Sequence, residues 1–278
     1  MLVELEILLL KYLEEDGKMN KDFDYKKTLG QNFLVDKNII NKIIDDVKHS
    51  SYDMIIEIGP GSGALTSELK KLNIPLFAFE IDKRLESELS KLEDDNTKII
   101  FSDFLSISLK DFLKDKGCSN LLIIGNIPYY ITTPIVKKVT SESNAKDVIL
   151  MVQNEVALRY ASKPCGKSYG SISVYVQYNY DVKEIAFVNK KCFYPVPKVD
   201  SSVIKLSRKN NNIINEDKFY SFIKEAFSHK RKTLKNNLVN YDFGFIYNNY
   251  LKNNNFSETC RAEELGVQDY INIFNLIN

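Results

Sequence analysis

An apolar run that ends in a glycine-rich turn constrains the fold of this chain more than any other feature. Residues 53–58 read Asp-Met-Ile-Ile-Glu-Ile, which is typical of a buried strand, and the sequence GPGSG follows at positions 59–63. A helix over residues 67–72 and a short strand over 76–79 come next. This order predicts a doubly wound α/β sheet whose glycine turn lets the backbone approach a ligand closely.

Acidic residues stand where the next two predicted strands end. Glu80 closes the second strand, and Asp103 follows a third strand over residues 97–101. Ligands collect at the carboxyl ends of parallel strands, so Glu80 suits a nucleotide ribose and Asp103 suits an adenine amine. The plainer reading of Asp103 is the N-cap of a helix that starts near Leu105. The glycine spacing also fits a nicotinamide enzyme, although the sequence offers no site for a substrate that exchanges hydride.

A fourth apolar strand runs into the tetrad Asn126-Ile127-Pro128-Tyr129. The N6 lone pair of adenine is delocalised into the ring, so N6 becomes nucleophilic only when hydrogen-bond acceptors localise that lone pair. The Asn126 side chain and a backbone carbonyl can serve as these acceptors, and Tyr129 offers a face on which an extruded base stacks. The tetrad therefore favours methylation of a nucleic-acid amine, and its plainer reading is a strand that ends in a proline turn.

Taken in order, the motifs of this chain resemble those of the bacterial 16S ribosomal RNA adenine N6,N6-dimethyltransferases. The matching segments are LGQNFL (29–34), EIGPGSG (57–63), FEID (79–82), SDF (102–104), NIPY (126–129), KSYGS (167–171), FYPVPKVDSS (193–202), AFSHKRKTL (226–234) and RAEEL (261–265). Members use S-adenosyl-L-methionine to dimethylate two adjacent adenines near the 3′ end of 16S RNA. The resemblance implies a seven-stranded Rossmann-like methyltransferase sheet, this cofactor, and the small ribosomal subunit or its precursor as partner.

The resemblance also implies roles for individual residues. The positions expected to bind the cofactor are Gln31, Asn32, Leu34, Gly59, Gly61, Glu80, Ile81, Asp103, Phe104 and Asn126. The positions expected to serve the chemistry are Asn126, Ile127, Pro128 and Tyr129, with Phe193 stacking on the other face of the base. Gln31 and Asn32 also suit the capped start of a helix before Val35.

Two alternative functions stay open beside this one. Methyltransferases that modify 23S RNA and confer antibiotic resistance share the glycine turn and the NIPY segment, but residues 169–171 and 261–265 resemble the small-subunit enzymes. Tyr130 stands where many members of both families carry Asn. A non-catalytic RNA-binding factor is the other alternative, and the intact Asn126, Tyr129 and Glu80 argue against it.

Composition favours an intracellular enzyme. With 278 residues and 44% hydrophobic content, the chain can bury one large core and a smaller second one. No apolar run approaches the length that spans a membrane. The four cysteines show no close pairing and there are two histidines, so we expect neither a disulfide framework nor a metal site. A cytoplasmic location is expected, and the family expectation is a monomer.

The sequence divides into three predicted parts. They are an N-terminal extension over residues 1–20, with an amphipathic helix at 2–13, a Rossmann-like methyltransferase domain over 21–208, and a helical RNA-binding domain over 209–278. Further strands are predicted at 147–152, 172–180 and 184–188 because these runs are rich in β-branched and aromatic residues. The polar stretch 207–212 lacks periodicity and marks the boundary between the two domains.

The formal charge of +1 is unevenly distributed, with an excess of basic residues from Lys190 to the end. Residues 217–238 have the periodicity of one amphipathic helix. The basic residues clustered on or near it are Lys224, Lys230, Arg231, Lys232 and Lys235. This face suits RNA phosphates, and its plainer reading is a solvated helix surface.

Residues 161–168 imitate the spacing of a phosphate-binding loop. Such a loop must follow a strand, whereas residues 155–160 look like a polar helix. We therefore predict a mobile surface loop here and no triphosphate site.

Overall fold

The computed structural model describes residues 32–210 and 215–278. The expectations for residues 1–20 and for Gln31 lie outside these described residues. The chain forms two compact units, one containing residues 32–154 with Glu184–Ser207 and the other containing Glu155–Lys183 with Arg208–Asn278. Within the two described ranges, no helix combines the length and the apolar character needed to cross a bilayer.

A seven-stranded sheet forms the centre of the first unit. Its strands are β2 Met54–Ile58, β3 Leu76–Glu80, β4 Thr97–Phe101, β5 Leu121–Asn126, β6 Asp147–Gln153, β7 Tyr180–Val188 and β9 Ser201–Arg208. They lie in the order β4-β3-β2-β5-β6-β9-β7, with the first five mutually parallel and β9 antiparallel to β6. The helices around it are α1 Lys37–Lys48, α2 Ala64–Lys70, α3 Glu86–Leu89, α4 Leu109–Leu113 and α5 Thr132–Glu142. The predicted doubly wound sheet is confirmed.

The direction of strand order reverses at β2. The chain adds β3 and β4 on one side of β2 and then crosses to place β5 and β6 on the other side. All five residues of β2 are buried, as the continuous apolar run predicts for a central parallel strand. This reversal opens a crevice at the carboxyl ends of β2 and β5.

A two-stranded ribbon brings the segment before α1 to this part of the unit. Its strands are β1 Phe33–Leu34 and β8 Phe193–Tyr194, which pair antiparallel. The Val35 amide continues the pairing by donating to the Cys192 carbonyl at 3.0 Å. Because successive strand residues face opposite sides, this register sends the Phe193 ring into the core, where it is 2% exposed.

The second unit is helical and has an aromatic core of its own. Its helices are α6 Asn154–Tyr160, α7 Ser171–Asn179, α8 Glu216–Ala226, α9 Leu234–Asn237, α10 Phe243–Ile246 and α11 Val267–Ile277. The rings of Phe219, Phe222 and Tyr270 are fully buried together. Tyr178 of α7 packs on Phe219 with ring centroids 4.8 Å apart.

Three sequence expectations need correction here. The predicted strand at 172–180 is helix α7, because Val174 and Tyr178 share one helical face that packs into the aromatic core. The predicted helix at 217–238 ends at Ala226 and resumes only at Leu234. Residues 155–179, which we expected in the sheet domain, group with the second unit because α7 packs on α8 and α11.

Candidate active site

A cavity of about 280 Å³ lies at the carboxyl ends of β2, β3, β4 and β5. Its position is the one expected for a ligand in a doubly wound sheet. The residues predicted from the sequence that line it are Asn32, Leu34, Gly59, Gly61, Glu80, Ile81, Asp103, Phe104, Asn126, Ile127, Pro128 and Tyr129. Four different strand ends therefore contribute to one cavity.

The glycine turn forms the floor of this cavity in a backbone conformation that requires glycine. Gly59 and Gly61 have φ values of +70° and +56°. A Cβ atom on Gly61 would lie 2.7 Å from the Phe33 ring, so even a methyl group would displace that ring. Because Gly59 and Gly61 have no side chains, the backbone at these two positions is accessible from the cavity.

The Glu80 carboxylate is buried, and two backbone amides hold it in place. Gly61 N donates to Oε2 at 3.1 Å and Asp82 N donates to Oε1 at 2.9 Å. Burial raises the pKa of Glu80 above its ordinary range, and the two amides oppose this shift. Since a carboxylate oxygen can accept more than one hydrogen bond, each oxygen can still accept from a ligand hydroxyl.

The Asn126 side chain has a defined orientation. Its Nδ2 donates to the backbone carbonyl of Asn32 at 3.0 Å. A carbonyl oxygen only accepts hydrogen bonds, so the amide nitrogen must face it and Oδ1 is left as an acceptor. The N-terminal segment therefore orients the amide that the sequence assigns to the chemistry.

Tyr129 is anchored by a residue that the sequence reasoning missed. Its hydroxyl lies 2.7 Å from Oγ of Ser201, a fully buried residue at the start of β9. Burial raises the pKa of Tyr129, and the Ser201 hydrogen bond opposes that shift. The phenol is therefore neutral near pH 7, and its ring is held beside the cavity. Ser201 belongs to the motif at residues 193–202, and membership of that motif is the sequence feature that could have indicated its role.

The structure leaves Phe193 outside the cavity lining and decides the helix-capping alternatives for Asn32 and Asp103. Phe193 is not among the residues that line the cavity, and its ring packs in the apolar core. Its stacking on the target base stays a prediction. Asn32 does not cap a helix, since α1 is capped by Asp36. Asp103 is exposed at the cavity and its Oδ1 accepts from Leu105 N at 2.9 Å. It caps a turn, because the expected helix starts only at Leu109.

Glu57 is a second missed residue. It lies in β2, lines the cavity and is 1% exposed, and its Oε2 is buried without a hydrogen-bond partner. Burial raises the pKa of Glu57 to about 8; the Thr66 hydroxyl opposes the shift and Glu80 adds to it. A buried carboxyl without a partner on one oxygen fits a cationic group of a ligand.

The Glu57 carboxyl predicts a pH-dependent stability. The pKa of Glu57 in the folded protein is raised above the ordinary value of 4.5. The protonated carboxyl therefore adds to the free energy of unfolding fully below about pH 4.5, and this contribution is lost as pH rises through about 8. Glu57→Gln cannot ionise. We therefore expect its melting temperature to rise relative to that of the ligand-free wild type as the pH increases from about 5 to about 9. Melting curves across this range check it, and a constant difference would contradict it.

The predicted RNA-binding residues all lie exposed on the second unit. Lys230, Arg231 and Lys232 occupy the turn between α8 and α9. Lys230 Nζ donates to the Lys167 carbonyl at 3.3 Å, and Lys235 pairs with Glu258 at 2.8 Å. The exposed ends of Lys230, Arg231, Lys232 and Lys167 thus share one region of the surface.

The segment that imitates a phosphate loop is anchored to the second unit. Cys165 N donates to the Glu263 carbonyl at 2.8 Å, and the Tyr169 hydroxyl donates to the Leu265 carbonyl at 3.0 Å. The segment follows helix α6 and not a strand. The expected mobile loop is therefore a loop fixed against residues 263–265.

Comparison with known proteins decides the family. A family model described as ribosomal RNA adenine dimethylase matches residues 22–278. The chain belongs to this family. Similar proteins include ribosomal RNA small subunit methyltransferase A of Clostridioides difficile (strain 630), which is 39% identical with 92% of each chain covered. The protein of the same name from Mycoplasma capricolum is 42% identical, with 91% of this chain and 97% of that one covered.

Solved structures agree with this membership of the adenine dimethylase family. A dimethyladenosine transferase from Plasmodium falciparum gives a TM-score of 0.70 at 27% identity, covering 87% of this chain and 95% of that one. The 23S rRNA methyltransferase ErmE gives 0.69 at 22% identity, covering 88% and 99%, a likeness that concerns the fold alone. The methyltransferase fold and the ribosomal RNA adenine dimethylase activity predicted from the motifs are confirmed at the level of the family, and the nicotinamide alternative falls away.

Proposed function

We propose that this protein transfers methyl groups from S-adenosyl-L-methionine to N6 of two adjacent adenines in a loop near the 3′ end of 16S ribosomal RNA, during assembly of the small subunit. The product is N6,N6-dimethyladenine at both positions. The observation that carries the proposal is the Asn126 amide, whose oxygen is left as an acceptor at the end of β5 beside the cavity. The names of the similar small-subunit methyltransferases support the choice of 16S RNA.

The side chains at β5 act on the target amine by accepting hydrogen bonds. Asn126 Oδ1 and a main-chain carbonyl of residues 127–128 accept the N6 hydrogens, which localises the lone pair on nitrogen. Tyr129, fixed by Ser201, provides the face against which the base stacks. Positioning of this kind accounts for several kcal/mol of the barrier, on the order of 7 to 11 at best. No strong base is needed, because N6 becomes cationic as it gains the methyl group, and its proton is then acidic enough to pass to water.

The cavity has groups that fit each part of the cofactor. Glu80 can accept from both ribose hydroxyls, Asp103 from the adenine amine, and the buried Glu57 carboxylate fits the ammonium group of the methionine moiety. Ile81, 57% exposed, and the buried Phe104 offer apolar surface for the adenine ring. When bound, S-adenosyl-L-methionine supplies a methyl group on an electrophilic sulfonium.

The RNA partner is held by the basic surface of the second unit. The target must be unpaired, because the chemistry needs an extruded base and specific RNA recognition favours splayed bases. The residues proposed to contact phosphates are Lys224, Lys230, Arg231, Lys232 and Lys235. All five are exposed, as phosphate contacts require.

We expect the Lys230→Ala, Arg231→Ala, Lys232→Ala triple variant to bind RNA less tightly and with a weaker salt dependence. The slope of log K against log salt should shrink by about 2 to 3, since each of the three lost phosphate contacts removes about 0.7 to 0.9. Equilibrium binding of small subunits at several salt concentrations measures this slope. The matched control is Lys98→Ala, Lys110→Ala, Lys114→Ala, three exposed lysines of the first unit. Equal slopes for both triple variants would contradict the assignment.

A cofactor titration combined with a turnover assay tests the proposal against the non-catalytic alternative. We expect saturable binding of S-adenosyl-L-methionine, no competition by a nicotinamide dinucleotide, and methyl transfer to unmethylated small subunits. Binding without turnover would make the protein an RNA-binding factor that keeps the pocket. Absence of binding would overturn the assignment of Glu80 and Glu57 to the cofactor.

A further inference from the structure

Tyr130 directly follows the tetrad 126–129, and the proposed methyl transfer gives no reason for its exposure. Its side chain is 66% exposed although it lines the same cavity as Tyr129. Single exposed apolar residues are common on protein surfaces, so exposure by itself carries little weight. This ring, however, lies at the rim of a site for an extruded base, where it can contact the RNA.

The backbone fixes the two tyrosines in different directions. Tyr129–Ile131 forms a 3₁₀ turn that follows Pro128, closed by a hydrogen bond of 3.1 Å from Ile131 N to the Pro128 carbonyl. With three residues per turn, successive side chains point about 120° apart. Tyr129 is tied to the buried Ser201, so Tyr130 must point elsewhere, and its exposure places it in solvent. Helix α5 continues directly from the turn.

We propose that Tyr130 stacks on the base adjacent to the target adenine and thereby sets the affinity for the two-adenine substrate. This inference rests on the proposed function. When one adenine is extruded against Tyr129, its neighbour is left unstacked at the rim, where the Tyr130 ring offers a π-face. N6-methylation leaves the face of a base intact. The same platform therefore holds an unmodified or a dimethylated neighbour, which lets both adenines be modified.

Kinetics on unmethylated small subunits test this assignment. We expect Tyr130→Ala to raise KM for the subunit on the order of ten-fold, the loss of one stacked base, with kcat and cofactor affinity changed far less. Tyr130→Phe, which keeps the ring, should restore most of the affinity. Phe187→Ala is the matched control, because Phe187 is 52% exposed on β7 and does not line the cavity. Melting curves establish that each variant is folded.

A second substrate separates stacking from a structural effect. In small subunits where one of the two adenines is replaced by uracil, which still stacks but more weakly, wild type should lose part of the affinity that Tyr130→Ala loses on the natural substrate. Tyr130→Ala should lose little more on the uracil substrate. Equal KM for wild type and Tyr130→Ala would overturn the role of Tyr130. So would a Tyr130→Ala enzyme that loses as much affinity as wild type does when the adenine is replaced by uracil. In either case, methyl transfer by wild type would leave the proposed function standing. Failure of wild type to methylate small subunits would overturn the proposed function and this inference with it.

Discussion

Asn126→Ala should lose turnover by about 1,000-fold, the effect expected when a preorganised hydrogen-bonding group is removed from a reacting centre. The alanine cannot accept the amine hydrogens, and it also breaks the contact from Nδ2 to the Asn32 carbonyl. Cofactor affinity should fall but stay measurable, because Glu80 and the glycine turn remain. Single-turnover methyl transfer with enzyme in excess over small subunits measures the chemical step itself.

A matched substitution keeps this expectation specific. Asn96 is an exposed asparagine of the same unit that hydrogen-bonds to Asn73, away from the residues that line the cavity. Asn96→Ala should retain the wild-type rate. An Asn126→Ala enzyme that turns over at the wild-type rate would show that its Oδ1 does not take part in the chemistry.

Glu80→Ala should weaken cofactor binding by at least about 100-fold. Two ribose hydroxyls lose a charged acceptor, each such hydrogen bond contributes about 1.5 to 3 kcal/mol, and 1.4 kcal/mol corresponds to a factor of ten. The same carboxylate holds the amide of Gly61, so its removal also loosens the glycine turn. Calorimetric titration with S-adenosyl-L-methionine gives the affinity of each variant.

The expected order of variants distinguishes binding from general damage. Glu80→Gln keeps one acceptor oxygen and the size of the side chain, so its affinity should fall between wild type and Glu80→Ala. Glu88→Ala removes a glutamate of α3 that pairs with Lys91 at the surface, and its affinity should equal that of wild type. Unchanged affinity in Glu80→Ala would remove Glu80 from the cofactor site.

The parts of this fold that the sequence predicts well are those that local patterns determine. A continuous apolar run followed by closely spaced glycines is compatible with few structures other than a buried strand and a tight turn, and the glycines do adopt positive φ. The spacing along the chain then places Glu80 and Asn126 at the ends of strands β3 and β5. The parallel sheet then brings these strand ends together. The seven-stranded form of the sheet came from the family resemblance and not from periodicity.

The features that sequence reasoning missed depend on tertiary packing. Residues 172–180 have the composition of a strand, and only the aromatic core of the second unit makes them helical. Phe193 and Tyr194 alternate in β8, and the pairing with β1 decides which ring is buried. Glu57 reads as one polar residue in an apolar strand, and its unpartnered oxygen emerges only from the packing around it. Ser201 meets Tyr129 across a gap of many residues, which no local pattern records.

Methyl transfer from labelled S-adenosyl-L-methionine to unmethylated small subunits and, in parallel, to protein-free large-subunit RNA tests the central claim most directly. The modified nucleosides are identified by mass and mapped along the RNA. We predict N6,N6-dimethyladenine at two adjacent positions near the 3′ end of the small-subunit RNA and no label in the large-subunit RNA. Label in the large-subunit RNA, or in neither RNA, would contradict the account.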